Sequence, residues 1–403
     1  MHFLLIEYII YLLAFLLTIV LLAKILQEAS VARLLLLGFA LRLFVMMLDY
    51  CEIVQIPGNG DVDQFNTMAR DNQNSSEMVY VTNYEIVLTY VYKLTRCSKL
   101  FAQYLNVIMG MFLLLYLNKV LKILFVSNKS RRLLVAIMTL MPNMVFFSAI
   151  LLREAWIEMF IMLSMYFFIL WFFKVTGYKD IIIAILLIFA AAWMHTGCIV
   201  LVFGYVSAFL LYNRKYHKLE FKRAIIPSLL VLPLIIFIIM GFDMGKISRF
   251  QGSSMNDFMV DVYSSDTDAG SAYLQWLNIT SPIQAIAFAP LKMFYFQFSP
   301  MPFDWRSIMD IVAFLLDSCV YIFLIFNIFR YRKRIIEEKR YLALFLLLSF
   351  FVATLVFSFG TLASGTAVRH RAKICSVLIV CYGLTHSNKR QVNVIGPKNL
   401  QSL

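Results

Sequence analysis

Long runs of apolar residues, separated by short polar segments, form the dominant pattern of this chain. Eleven of these runs approach the roughly 20 residues that an α-helix needs to cross a bilayer. They cover residues 3–23, 31–50, 100–118, 133–151, 155–173, 181–194, 197–212, 224–241, 308–329, 341–360 and 372–386. The pattern predicts an all-α polytopic membrane protein, with about eleven transmembrane helices in a single integral membrane domain over residues 1–403.

The composition agrees with a membrane protein and narrows the possible partners. Of the 403 residues, 62% are hydrophobic and 15% are charged, which excludes an ordinary soluble globular domain. The net charge of +13 comes from cations in short loops between apolar runs, so the lipid bilayer is expected as a partner and nucleic acid is not. Six cysteines show neither a CxxC spacing nor His-rich surroundings, which favours packing residues over a metal site.

The lysines and arginines predict which side of the membrane each loop occupies. Threading the eleven runs alternately places 23 of the 36 cations on one side, which the positive-inside rule identifies as the cytoplasm. This side comprises residues 24–33, 119–132, 174–179, 213–223, 330–340 and 387–403. The N-terminus is then expected outside and the C-terminus inside. Most of the other cations lie on the predicted outer face, where the positive-inside rule disfavours them. Their presence there suggests that they serve a function.

Two long outer loops, residues 51–99 and 242–307, have a composition typical of soluble proteins. Long loops of this kind are often functional. The first contains a short apolar segment, Asn83–Thr95, which is predicted to be an interfacial helix. The second contains an acidic stretch predicted to be a flexible lid, and then Pro282–Phe298. Its prolines predict an amphipathic or partly re-entrant segment along the membrane surface instead of a continuous spanning helix.

A charged step, Arg153-Glu154, stands between two apolar runs that are each long enough to span a bilayer. A charge at mid-membrane costs about 2.5–3.5 kcal/mol on insertion scales, so such groups usually serve function or pair with one another. The simpler interpretation is that these two residues close a helical hairpin at the headgroup layer. In the first outer loop, Asp61 and Asp63 follow a Gly-rich turn, either as an ordinary solvated turn or as a carboxylate pair presented to a sugar hydroxyl.

Two more polar motifs fall on the same predicted face. His195-Thr196-Gly197 separates two apolar runs, and Arg369-His370-Arg371 opens the last run. A lone histidine is often only hydrogen-bonded, and cations near a helix end often anchor in headgroups. Because guanidinium groups bind phosphate bidentately, Arg153, Arg369 and Arg371 are predicted to hold a diphosphate. The three motifs are expected to converge at one membrane depth.

Several short motifs together resemble the bacterial oligosaccharide repeat-unit polymerases, the Wzy-like proteins of O-antigen and capsule clusters. These are grouped broadly with the GT-C-type membrane glycosyltransferases. The motifs are Phe147-Ser148-x4-Arg153-Glu154, His195-Thr196-Gly197, the aromatic–proline step Ser299–Trp305, and Gly365-Thr366-x2-Arg369-His370-Arg371. The resemblance covers most of the chain in layout, but only these motifs in letters.

The resemblance implies a GT-C-like fold and inverting glycosyl transfer on the outer, periplasmic face of the bacterial inner membrane. Donor and acceptor would be undecaprenyl-diphosphate-linked glycans, a chain-length regulator would be among the partners, and no cofactor is expected. Glu154, His195, Asp61 and Asp63 are the catalytic candidates. The diphosphate candidates are Arg153, Arg369, His370 and Arg371.

Two other functions stay open at this point. One is a GT-C transferase that uses a polyprenyl-monophosphate sugar. Asp61 and Asp63 do not form the acidic dyad of the metal-using enzymes of that class, which argues against a metal ion. The other is a non-enzymatic flippase or transporter of lipid-linked glycans. A transporter is expected to show an internal repeat and charges deep in a central cavity, and the sequence shows neither.

Overall fold

The computed structural model describes residues 2–54, 59–75, 79–80, 82–174, 177–220, 270–277, 279 and 281–388. The candidate span 224–241 lies outside these ranges, and so does most of the loop predicted to be a lid, residues 242–281.

The described chain is built almost entirely from α-helices. Those of the first half are α1 His2–Gln27, α2 Ala32–Tyr50, α3 Asn59–Asn74, α4 Asn83–Thr95, α5 Lys99–Ile123, α6 Asn128–Leu140, α7 Pro142–Ala149, α8 Glu154–Phe173, α9 Lys179–Met194 and α10 Val202–Leu211. Those of the second half are α11 Pro282–Phe298, α12 Ile308–Ala313, α13 Cys319–Tyr331, α14 Glu337–Phe359 and α15 Ser364–Leu384.

The remaining elements are short. Three 3₁₀ turns, at Thr196–Leu201, Pro302–Asp304 and Arg332–Arg334, and one π turn, at Phe314–Ser318, connect or interrupt helices. A two-stranded antiparallel hairpin, β1 Tyr212–Asn213 with β2 Lys218–Leu219, pairs Tyr212 with Leu219.

Five helical segments in the described ranges are long and apolar enough to cross a membrane, which makes this an all-α membrane protein. They are Leu5–Gln27, Lys99–Ile123, Glu154–Phe173, Ile308–Arg334 and Glu337–Phe359. The predicted count of eleven stays a prediction. Helices α2 and α15 match two more predicted runs but carry several charges, and α9 and α10 are only 16 and 10 residues long.

The predicted run 133–151 is broken into α6 and α7, which meet at an angle of 52°. Pro142 is the first residue of α7 and has no backbone N–H, so the hydrogen-bond ladder stops there. The buried Arg42 of α2 fills the break: its Nη1 donates to the carbonyl of Thr139 over 3.3 Å, and its Nε donates to Ser148 Oγ over 2.9 Å. A Cβ on Gly110 would lie 2.7 Å from Ser148 Cβ, so only glycine lets α5 approach α7 this closely.

The first outer loop contains two helices, α3 and α4, packed against each other. Helix α4 has the predicted bounds. Asp61 and Asp63, which were predicted to follow a Gly-rich turn, lie instead within the N-terminal part of helix α3. The cause is visible in the sequence, because the apolar residues of this polar stretch have a helical spacing. These residues, which are all buried, are Val62, Phe65 and Ala69. The Phe65 ring meets Tyr84 of α4 edge-on, with 5.3 Å between centroids.

The prolines of the predicted second outer loop do not break its helix, which is not among the segments long enough to span a membrane. Helix α11 is continuous over Pro282–Phe298. Pro282 occupies the first turn, where a missing N–H costs nothing, and Ser281 Oγ caps the helix by accepting from the Gln284 N–H. Pro290 lies on the exposed face, so its ring meets no neighbouring helix. The inner face packs on α14 and α15.

Candidate functional site

Asn106 of α5 fixes the junction between α7 and α8, where the site begins. Its fully buried amide donates to the carbonyls of Ile150 and Leu152 over 2.7 and 2.8 Å, and its Oδ1 accepts from Trp156 Nε1 over 2.8 Å. A continuous helix would satisfy these carbonyls with its own backbone. The side chain takes that role, so the helix can end at Ala149 and restart at Glu154.

Glu154, the first residue of α8, forms the centre of the site with Arg369 of α15. Arg369 Nε donates to Glu154 Oε1 over 2.6 Å, and Arg369 Nη2 donates to Oε2 over 3.2 Å. The Glu154 side chain is fully buried, and Lys373 Nζ, equally buried, lies 3.5 Å from Oε1. Arg369 therefore holds the carboxylate in a bidentate, charge-assisted arrangement, and Lys373 is a second cation paired with it by charge alone.

Asp61 and Asp63 are separated by the structure. Asp61 accepts a hydrogen bond from Arg369 Nη1, and its side chain is 45% exposed. Asp63 is exposed on another side of α3. The reason is helical geometry, since residues two apart on an α-helix point about 200° apart. Of the predicted carboxylate pair, only Asp61 lies in the site.

Arg153 precedes α8 and contacts the end of α9 and helix α3. Its Nη1 donates to the carbonyl of Met194 over 3.0 Å, and its guanidinium lies 6.0 Å from the centroid of the Phe65 ring. Its Nε is buried and has no hydrogen-bond acceptor among the described residues. Arg153 therefore has an N–H donor that no described residue uses. The positive charge of the nearby Arg369 acts on the Arg153 guanidinium.

His195 and His370 meet at the junction after α9. Their Nε2 atoms lie 3.4 Å apart, and His370 Nδ1 lies 3.0 Å from Thr361 Oγ1. Burial, reinforced by the charge of Lys373, holds the pKa of His195 well below its ordinary value, so its imidazole is neutral at pH 7. A Cβ on Gly197 would lie 2.5 Å from the Phe357 ring, so this junction requires glycine.

Arg371 lies apart from the other predicted site residues and has no donor to offer a diphosphate. Its Nε donates to Asp317 over 2.6 Å, its Nη2 donates to Asp317 and Ser318, and its Nη1 donates to carbonyls at the end of α11. These five N–H donors are the full capacity of a guanidinium. Arg369 and Arg371 are two residues apart on α15, so they face opposite sides, and the predicted three-arginine clamp does not form.

The sequence analysis missed Lys373 and Glu158 as members of the site. Glu158 is one turn after Glu154 on α8 and is 2% exposed, and the charges of Arg42 and Lys373 act on it. Its Oε1 has no hydrogen-bond donor within the described ranges. The available signal was the spacing of four residues between Glu154 and Glu158, which places both carboxylates on one helix face.

Two other features bear on what the site can bind. Among the described residues, no group of three or more His, Cys, Asp and Glu side chains is arranged to hold a metal ion. The predicted independence from metal stays a prediction. A cavity of about 460 Å³, lined by Lys122 and Arg131, opens beside the far end of α5 and is separate from this site.

No family model, no curated protein and no solved structure matches this chain.

Proposed function

We propose that this protein polymerises undecaprenyl-diphosphate-linked oligosaccharide repeat units by inverting glycosyl transfer. The observation that supports this most directly is a set of buried nitrogen atoms next to Arg369 with unused hydrogen-bonding capacity in the described part of the chain. Arg153 Nε, His195 Nδ1 and Lys373 Nζ have no hydrogen-bond partner there. Buried polar groups are normally satisfied, so their unused capacity favours an anionic ligand such as a diphosphate.

The proposed reaction uses these groups to stabilise a leaving group. A hydroxyl oxygen of the acceptor sugar forms a bond to the anomeric carbon of the donor, and the bond from that carbon to the diphosphate oxygen breaks. Undecaprenyl diphosphate leaves with the electron pair, and Arg153, Arg369 and Lys373 offset its charge. A carboxylate or His195 takes the acceptor proton.

The proposal includes a topology in which the site faces the periplasmic side of the inner membrane. Asn128 lies in a predicted cytoplasmic segment and Asn74 in the first outer loop, and both are exposed. We expect a cysteine at Asn74, in a background without native cysteines, to react with an impermeant thiol reagent added to whole spheroplasts. A cysteine at Asn128 should react only after permeabilisation. Labelling of Asn128 in intact spheroplasts would overturn the orientation.

The function is tested with purified protein in detergent and a synthetic undecaprenyl-diphosphate-linked repeat unit. We expect chains of two or more repeats, with EDTA present or absent. Arg153→Ala should lower the rate about 100-fold or more, the usual effect of removing a donor to developing charge. Arg153→Lys should recover little of it, because lysine lacks the planar fork.

The matched control is Arg70→Ala, an exposed arginine on the same predicted face. It is expected to keep the rate within about threefold, since surface substitutions usually have small effects. If the protein transfers sugar only from a polyprenyl-monophosphate donor, the proposal is replaced by that of a GT-C transferase that uses a monophosphate donor. Movement of the lipid-linked glycan across vesicles without bond formation would replace it with a flippase.

A further inference from the structure

Resting on the proposed function, we infer that Asp61 is the proton acceptor for the incoming hydroxyl, and that it is held inactive on Arg369 until the donor diphosphate displaces it. The inference combines two functions in one carboxylate. In the absence of substrate Asp61 occupies a position suited to a phosphate oxygen, and in its presence the same group becomes free to act as a base.

The other candidate bases are less suited to reach an acceptor. Glu154 is fully buried and is engaged through both oxygens by Arg369, with Lys373 beside it. Removing it from these partners would leave buried charges unpaired, which is costly. His195 is half-buried with its Nε2 atom 3.4 Å from that of His370, and its lowered pKa makes it a weak base.

Asp61 differs from these groups in exposure and in the number of its partners. Its side chain is 45% exposed, whereas that of Arg369 is 16% exposed and that of Glu154 is fully buried. Among the described residues, its hydrogen bond in the site is the one from Arg369 Nη1. It stands in the first turn of α3, so a small side-chain rotation suffices to release it.

Asp61 occupies a donor of Arg369 for which a phosphate would compete. The Nε and Nη2 atoms of Arg369 donate to Glu154, and its Nη1 atom donates to Asp61. Each Nη nitrogen carries a second N–H, but a phosphate that takes the place of Asp61 also avoids the repulsion between two neighbouring anions. The diphosphate can also accept from Arg153 Nε, which a single carboxylate does not reach.

The released Asp61 then completes the transfer. As the acceptor oxygen bonds to the anomeric carbon, its proton moves to the Asp61 carboxylate, and the diphosphate leaves with the electrons of the broken carbon–oxygen bond. This arrangement makes the base available only after the donor is bound. It follows that the donor binds productively before the acceptor.

The test is Asp61→Asn, measured separately for binding and for turnover. Asparagine keeps the size of the side chain but lacks its charge, so it competes less for Arg369 and cannot take the proton. We expect undecaprenyl diphosphate to bind the variant several-fold more tightly than wild type, by calorimetry in detergent. Turnover should fall about 100-fold or more, within the range for loss of a general base. Asp71→Asn, an exposed carboxylate on the same helix, should change neither value.

Weaker binding of undecaprenyl diphosphate by Asp61→Asn would show a structural role and overturn the inference, and so would retained turnover. Asp61→Glu gives a second comparison if the asparagine variant does not fold. It keeps a carboxylate, so we expect turnover within about tenfold of wild type and no gain in diphosphate affinity; a loss as large as that expected for asparagine would contradict us. If wild-type protein binds no undecaprenyl diphosphate, the proposed function itself fails.

Discussion

Replacing Arg369 with methionine should both destabilise the protein and abolish polymerisation. Glu154 would remain fully buried without its bidentate partner, and breaking a buried ion pair from one side typically costs about 3–5 kcal/mol. The yield of monodisperse protein in detergent and the midpoint of thermal unfolding measure the first effect. Assay of the surviving folded protein measures the second.

The double variant Arg369→Met, Glu154→Gln separates the two effects. Removing both charges relieves the unpaired carboxylate but leaves the buried Lys373 without its pairing to Glu154, so only part of the lost stability should return, and polymerisation should not return. Arg70→Met serves as the exposed control. Recovery of polymerisation in the double variant would contradict a direct role for Arg369. A single variant as stable as wild type would show that Lys373 alone compensates the charge of Glu154.

Replacing Asp317 with alanine should reduce the amount of folded protein as strongly as Arg369→Met does. Unlike Arg369→Met, it should leave the activity of the folded molecules nearly unchanged. Asp317 accepts from the buried Arg371 and also from Asn143 Nδ2 over 2.6 Å, so its loss leaves a guanidinium without a counter-charge. The expected cost is again about 3–5 kcal/mol. The activity per folded molecule should stay within about threefold of wild type, because Arg371 faces away from Glu154.

The measurement is the same pair of quantities, yield and specific activity, taken side by side for Asp317→Ala and Arg369→Met. A specific activity of Asp317→Ala that falls as far as that of Arg369→Met would place Arg371 back in the diphosphate site. The double variant Asp317→Leu, Arg371→Met should recover stability relative to the alanine variant, since a well-packed apolar pair can replace a buried ion pair.

Apolar patterning predicted the helical membrane fold and several helix bounds. Helix α4 begins and ends where its apolar segment does, and the charged steps at Arg153-Glu154 and Arg369 come together as the topology implied. Such a prediction succeeds because a charged side chain next to an apolar run is costly in the membrane unless it is paired, so opposite charges of this kind tend to lie together.

Partner choice was not predictable in the same way. Nothing in the apolar run 308–329 indicates that Asp317 pairs with Arg371, because the pairing depends on the π turn that directs Asp317 inward. The break at Pro142 depends on Arg42, which comes from α2, a hundred residues earlier in the chain. Alpha-helical periodicity reports which face is buried, but it does not report which neighbour lies against that face.

Under the proposed function, the amide of Asn106 would also affect which nucleophile enters the site. Its bond to Leu152 satisfies a carbonyl that would otherwise call for ordered water at the helix break, and its bond to Ile150 adds to the one that the Leu152 N–H already donates. Because the polar groups at this helix break need no water, the protein interior next to Glu154 can remain dry. For a glycosyl donor, dryness decides the product, because water competes with the sugar hydroxyl for the anomeric carbon. Under the proposed function, hydrolysis of the lipid-linked donor is therefore expected to be a minor reaction while no acceptor is bound.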